Sequence, residues 1–165
     1  MEGRHIECCH APPGVGDRVS WPLLWVDDDG SPGALQLDWH SRPLAAGAWV
    51  DPTDLLLRHG PLVACWRGRT AVPARGQLLA DVHGGVPEQV PPVSGTVLGV
   101  EIVDQAYRLA GPRTYVPIPG DVVLRPVTRS PRWFDSGATA REPLPDAYRQ
   151  DSGVLVRLRV EEPNP

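Results

Sequence analysis

Near its C-terminal end the sequence reads Gly153-Val154-Leu155-Val156-Arg157-Leu158-Arg159-Val160, with Val154, Val156, Leu158 and Val160 at alternate positions and both arginines between them. Successive side chains of a strand point to opposite faces, so this period of two describes a strand with one buried and one wet face. Arg18-Val19-Ser20-Trp21 and Leu35-Gln36-Leu37-Asp38-Trp39 alternate in the same way. Each such run is short and is closed by Gly or Pro. With Gly 17 and Pro 20 among 165 residues, long uninterrupted helices have little room. The 41% of hydrophobic residues is nevertheless enough for a packed core, which separates the chain from low-complexity disorder. Val is used 20 times against Ile 3, and stiff Val suits a pleated surface better than a helix. A single β-rich domain over residues 1–165 is expected.

Val15-Gly16-Asp17 is a tight turn into the first strand, and Pro22 marks an edge or bulge before Leu23 to Val26. The turn residues Asp27 to Gly33 then suggest that this strand and the Leu35–Trp39 run form a hairpin. Asp51-Pro52-Thr53-Asp54 before three leucines has the signals of a helix start, and His59-Gly60 those of its end, so one short helix is predicted there. Further strands are expected at Leu62 to Trp66, Gly76 to Val82, Gly95 to Val103, Tyr115 to Ile118 and Val122 to Leu124. Residues 128–152 show little periodicity and read as an irregular loop segment, which at that length is mobile or functional. The predicted fold is mainly β: a small, partly open β-barrel or rolled sheet, SH3-like or OB-like, with one short helix.

The net charge of −4 removes the global attraction that drives non-specific nucleic-acid binding. All 16 basic residues are Arg, so arginine fills every ordinary solvent-facing basic position and an Arg-rich patch says little by itself. Cys8 and Cys9 are adjacent and Cys65 is the third cysteine, a pattern unlike the disulfide framework of small secreted domains. A reducing, cytoplasmic setting is expected. No signal peptide is visible at the start, and no apolar run approaches the roughly 20 residues that span a bilayer.

Glu7-Cys8-Cys9 leading into Val15-Gly16-Asp17-Arg18-Val19-Ser20-Trp21, then His83-Gly84-Gly85-Val86-Pro87-Glu88, Pro92-Val93-Ser94-Gly95-Thr96-Val97, Tyr115-Val116-Pro117-Ile118-Pro119-Gly120 and the closing strand follow one another in a specific order. In this combination, over about half of its length, the chain resembles an uncharacterised actinobacterial family whose domain carries only an unknown-function label. It departs from that family's pattern at His10, where Gly is usual, and at Val82, where a second His is usual. The resemblance implies a shared fold and no particular activity.

Four constellations bear on chemistry. Cys8, Cys9, His10 and His83, with Cys65, are ligand types that zinc prefers, although adjacent cysteines chelate one tetrahedral ion poorly and no Cys-x-x-Cys pair anchors a site. The bland counterpart is a strand that points one cysteine in and the other out. A cysteine activated by His83, with Asp81 or Glu88 as the acid, would make a nucleophile, against a reading of His83-Gly84-Gly85 as a simple turn. Asp27-Asp28-Asp29-Gly30-Ser31 superficially resembles a calcium loop, but Pro32 stands where the sharp-turn Gly belongs, so a solvated turn is favoured. Trp66-Arg67-Gly68-Arg69, Arg125 to Trp133-Phe134, and Arg157 with Arg159 offer Arg and aromatic groups to a partner. Against that, Trp21, Trp39 and Trp66 also fit a core.

The function expected from sequence is therefore a non-catalytic binding or interaction module. Its binding residues are Trp66, Arg67, Arg69, Trp133 and Phe134, and the segment 128–152 is its main contact region. The expected partner is a protein; nucleic acid is disfavoured by the charge, and no membrane is involved. No cofactor is expected, zinc being the one candidate. The alternative is a metal-binding or Cys/His-dependent hydrolytic enzyme using Cys8, Cys9 and His83.

Overall fold

The computed structural model describes residues 6–8, 10–28, 30, 32–47, 50–68, 70–81, 83–112, 114–134 and 147–162. Ten strands follow in order: β1 (Arg18–Trp21), β2 (Leu23–Asp27), β3 (Leu35–Gln36), β4 (His40–Pro43), β5 (Leu55–His59), β6 (Leu62–Trp66), β7 (Arg75–Ala80), β8 (Val93–Gly111), β9 (Thr114–Val127) and β10 (Ala147–Val160). They form two sheets. One has the order β1-β8-β10, with β9 also paired to β8, and the other runs β3-β7-β2-β6-β5-β4. The six-stranded sheet curls strongly into a half-barrel, in line with the partly open, rolled β architecture read from the alternation.

Pro22 is where the chain leaves one sheet for the other. Proline cannot donate to a ladder, and here it separates β1, paired with β8, from β2, paired with β7 and β6. The expected hairpin of β2 with the 35–39 run is not formed. β3 instead pairs with β7 at Leu35↔Gly76 and Gln36↔Arg75, because β7 already occupies the antiparallel edge of β2.

The predicted short helix is also absent. Its capping chemistry is real: Asp51 Oδ1 accepts from the Thr53 N–H at 2.9 Å, and Asp54 Oδ2 accepts from the Asp51 N–H at 3.0 Å. The chain then enters β5, which pairs with β6 from Leu55↔Trp66 to His59↔Leu62. Leu56 and Leu57, neighbours in sequence, are both buried, at 1% and 0% exposure, so both faces of the strand are covered. Gly60, the expected helix terminator, has φ 55° and supplies the hairpin turn instead. The same local signals serve either structure, and the long-range pairing decides. Among the described residues, helical backbone is confined to a turn at Ile6–Cys8.

The two strands expected at 115–118 and 122–124 are one strand, β9, with an irregularity where Gln105↔Val122 gives way to Tyr107↔Pro117. The segment 128–152 is irregular through Ser130–Phe134, whereas residues 147–152 already belong to β10; residues 135–146 lie outside the described residues.

Two apolar clusters hold the sheets. The larger contains Trp21, Leu23, Trp25, Leu56, Leu57, Val63, Cys65, Trp66 and Val93, with Val156, Leu158 and Val160 packed against it. The smaller joins Ile6 and Phe134 to Val97, Val100, Ile102 and Val154. Burying a side chain of this size contributes about 1.5–3 kcal/mol each, which holds the two sheets together.

Candidate functional site

The residues expected to bind divide between core and surface. Trp66 is 4% exposed, and its indole N–H donates to the Thr70 carbonyl at 3.2 Å, so it is a core side chain and not a platform. Arg67 is a clamp. Its Nε lies 3.4 Å from Asp54 Oδ1, and its terminal nitrogen donates to the Gly85 carbonyl at 2.7 Å, tying the loop after β7 onto the β5–β6 hairpin. Arg69 lies outside the described residues. Trp133 and Phe134 do not form the exposed pair expected of them. Trp133 is 69% exposed, but Phe134 is 6% exposed within the smaller core, and its N–H donates to Glu7 Oε1 at 2.7 Å. One ring is therefore in and the other out.

Several other arginines are committed to carboxylates. Arg125 grips both oxygens of Asp151 at 2.9 and 2.7 Å, and Arg149 bonds Asp104 at 3.1 Å and Asp121 at 2.6 Å. Arg129 holds Asp17 by two bonds of 2.8 and 3.0 Å; with the Gly14 N–H added, this arrangement keeps the Asp17 carboxyl below the usual carboxylate range. In the loop that resembled a calcium site, Asp28 accepts from the Gly30 N–H at 2.9 Å and pairs with Arg75, as a turn residue does; Asp29 and Ser31 lie outside the described residues.

Of the metal or nucleophile candidates, the fold does bring two together. Cys8 Sγ is 3.4 Å from His83 Nε2 although the residues are 75 apart in sequence. Cys8 is disulfide-bonded, which differs from the reduced cysteines expected, and it therefore carries no free thiol for nucleophilic attack. Cys65 is elsewhere: it is 0% exposed in the core, where burial, reinforced by the Asp54 charge, pushes its thiol up to about 11. His10 accepts from the Trp21 indole N–H at 2.8 Å. Cys9 lies outside the described residues, and among those described no three His, Cys, Asp or Glu side chains are grouped to hold a metal ion.

The feature that sequence did not reveal is a seam between the sheets. A cleft of about 450 Å³ is lined from one side by Leu23, Leu62, Leu78 and Ala80 and from the other by Trp21, Val93 and the β10 residues Leu155 to Leu158 and Val160. A second cavity of about 130 Å³ lies between Leu78–Leu79 of β7 and Ser152–Leu155 of β10. The larger volume falls within the range of ligand sites, and the lining is mostly apolar.

The cleft follows a strand edge and not one sheet face. Leu155 and Arg157 alternate with Val156 and Leu158, so they belong to opposite faces of β10, yet all four line the cleft. Among the described residues, β10 takes its ladder partner, β8, on one edge only. On the other side of the cleft, β3 covers β7 only at Arg75 and Gly76, and no strand continues along β7 from Leu78 to Ala80 among the described residues. Gly33, with φ 95°, carries the β2–β3 connection over the seam, where an added Cβ would lie 2.6 Å from Leu155 Cδ1. The lining side chains come from seven strands, too dispersed for any local motif to reveal.

No helix among the described residues is long and apolar enough to cross a membrane. No curated protein and no solved structure matches the chain. Residues 1–160 match one family throughout, and the chain belongs to it: a family of unknown function, DUF6578.

Proposed function

We propose that this protein is a non-catalytic binding module that takes up an extended segment of a partner protein as an added strand in the seam between β7 and β10. The observation that carries this reading is the cleft lined by both faces of β10, along an edge that has no strand partner among the described residues, and opposed by the end of β7 that no described strand covers. An entering strand forms main-chain hydrogen bonds to such edges, and its alternate side chains enter the apolar lining. The stretch from Leu155 to Val160 sets the length of the occupant: about six residues at roughly 3.3 Å each. Side chains on the inner face meet Leu78, Ala80, Val156 and Leu158. Those on the outer face meet Arg157 and Glu101, whose charged groups stand 3.8 Å apart.

Selection from a random-heptapeptide display library on the immobilised full chain tests this. Enriched peptides with apolar residues at every second position are expected, and they should lose binding when backbone amides facing the seam are N-methylated. Leu158→Asp should abolish capture while the circular dichroism spectrum stays β. Peptides that bind equally well after N-methylation, or whose binding ignores Leu158→Asp, would remove the strand-addition reading. A second reading rests on Trp133, whose 69% exposure makes it a contact residue for a protein surface. Loss of a defined partner on Trp133→Ala, with peptide uptake intact, would favour that face.

A further inference from the structure

Beyond Val103, β8 continues into a three-stranded arm: its residues 104–111 pair with 114–123 of β9 and 147–151 of β10, and neither apolar cluster contains any of these residues. Directly paired residues share a face, so Tyr107 and Tyr148 stand on one side of the arm, and Asp104, Arg149 and Asp151 on the other. The first face gathers all three tyrosines of the chain: Tyr107 stacks on Tyr148 with ring centres 5.2 Å apart, and Tyr115 meets Tyr148 edge-on at 4.8 Å. The second carries the ion pairs of Arg125 and Arg149.

Among the described residues, the outer edges of β9 and β10 are both without a strand partner, and the two edges differ. β9 carries Pro117, Pro119 and Pro126, and prolines on an edge blunt further pairing because they have no N–H to donate. β10 has no proline from Ala147 to Val160. Its charges do not guard it against its own copy either, because Arg149 and Asp151 stand on either side of Gln150. When a strand pairs antiparallel with a copy of itself, one residue faces itself at the two-fold axis, and residues equally far on either side face each other. With the axis at Gln150, Arg149 of each copy faces Asp151 of the other. An axis one residue earlier would set Arg149 against Arg149, and one residue later Asp151 against Asp151, so charge selects Gln150.

Both charged groups have hydrogen-bonding capacity left. Arg149 has five N–H donors, of which three are engaged, with the Asp104 carboxylate, the Asp104 carbonyl and the Asp121 carboxylate. Among the described residues Asp151 accepts only from Arg125, once at each oxygen, although a carboxylate offers about four lone-pair sites. We propose that two copies of the chain pair their β10 strands antiparallel about Gln150, joining two β9-β8-β10 arms into one continuous sheet of six strands. The occupant of this edge is a second copy of the chain, and the contact uses residues 148–152, apart from the seam at Leu155 to Val160.

Sedimentation equilibrium of the full chain over about 10–500 µM should show the mass rising from 17.9 kDa toward twice that value, as suits a small, transient interface. Gln150→Cys under mild copper–phenanthroline oxidation should give a disulfide-linked dimer, since residues facing each other across an antiparallel pair have Cα atoms about 4.5–5.5 Å apart, within disulfide reach. Ser152→Cys should not, because its two copies would stand about 13 Å apart along the strands. Wild type run alongside accounts for the native cysteines. Gln150→Lys sets two ammonium groups face to face at the axis and should weaken association about fivefold, with the circular dichroism spectrum unchanged. A mass of 17.9 kDa at every concentration would overturn the second copy as occupant. Association without a Gln150→Cys cross-link, with Ser152→Cys linking as readily, or indifferent to Gln150→Lys would overturn pairing at this edge.

Discussion

Gly33→Ala separates the contact across the mouth of the seam from the cost of the turn itself. Gly33 sits at φ 95°, and its added Cβ would lie 2.6 Å from Leu155 Cδ1. An L-residue held in a left-handed conformation costs about 1–2 kcal/mol. The methyl of Leu155 ends a rotatable side chain, so the clash is relieved by an off-rotamer shift worth about 0.5–1.5 kcal/mol. Together these predict a loss of about 1.5–3.5 kcal/mol. For a chain of this size that is a fall in Tm of roughly 3–14 °C. The assay is a double-mutant cycle by urea unfolding. In a Leu155→Ala background the clash has no partner and only the backbone cost remains, so the Gly33→Ala penalty should shrink by about 1 kcal/mol. If the two substitutions add within about 0.3 kcal/mol, the β2–β3 connection does not rest on Leu155 and the described mouth of the seam is wrong.

Trp133→Ala should change stability by less than about 0.5 kcal/mol, whereas Phe134→Ala should cost about 3–5 kcal/mol in the same urea titration, since only the second ring is buried. Cys65 should resist Ellman's reagent at pH 8 in native protein and react in full once urea unfolds it; prompt native reaction would contradict a thiol raised to about 11 by burial. Arg129 and the Gly14 N–H lower the pKa of Asp17 in the fold, so the carboxylate contributes stability that is present above its unfolded value near 3.8 and is lost as pH falls through the lower folded value. The Tm deficit of Asp17→Asn should accordingly be largest near neutral pH and narrow below pH 4; a deficit independent of pH would exclude this contribution.

Alternation placed the strands well because burial on one face imposes a period of two. It identified Val19 and Trp21 and the β10 run, with Gly-rich turns between strands, whereas β6 is apolar at every position and buried on both faces. Pairing was less legible. β2 meets β7 and β6 and not its sequence neighbour β3, and nothing in a local window encodes which distant strand takes an edge. Asp51 to Gly60 misled for a related reason: an aspartate that caps a helix also closes a turn before a strand, and a glycine with positive φ ends a helix or turns a hairpin. Site chemistry was legible by residue type only. Cys8 and His83 stood out as reactive types, but their approach depends on Ile6 finding the smaller core and on the loop after β7 being clamped by Arg67. Arg67 itself looked like a binding residue because its role as a clamp requires knowing where Asp54 and Gly85 lie.

Gln105 tests whether the merged strand β9 depends on one buried amide. At 8% exposure its Nε2 donates to the Ala106 and Ile118 carbonyls at 2.8 and 2.9 Å and lies 3.3 Å from the Asp121 carbonyl. An amide has two hydrogens, so the two shorter contacts are the ones it satisfies. The residues it reaches in β9, Ile118 and Asp121, frame the irregularity that lets one strand replace two. Gln105→Leu leaves those carbonyls without their donor and should cost about 1–3 kcal/mol. The accompanying increase in amide exchange should be confined to the amides of Ile118, Gly120, Asp121 and Val122. Gln105→Glu sharpens the point, because a carboxylate facing carbonyl oxygens can only accept. Its pKa is then raised in the folded state, the ionised form is the destabilising one, and the variant should regain stability as pH falls through that raised value. A Gln105→Glu chain that matches wild type at pH 7 would show that the amide hydrogens do not hold the bulge.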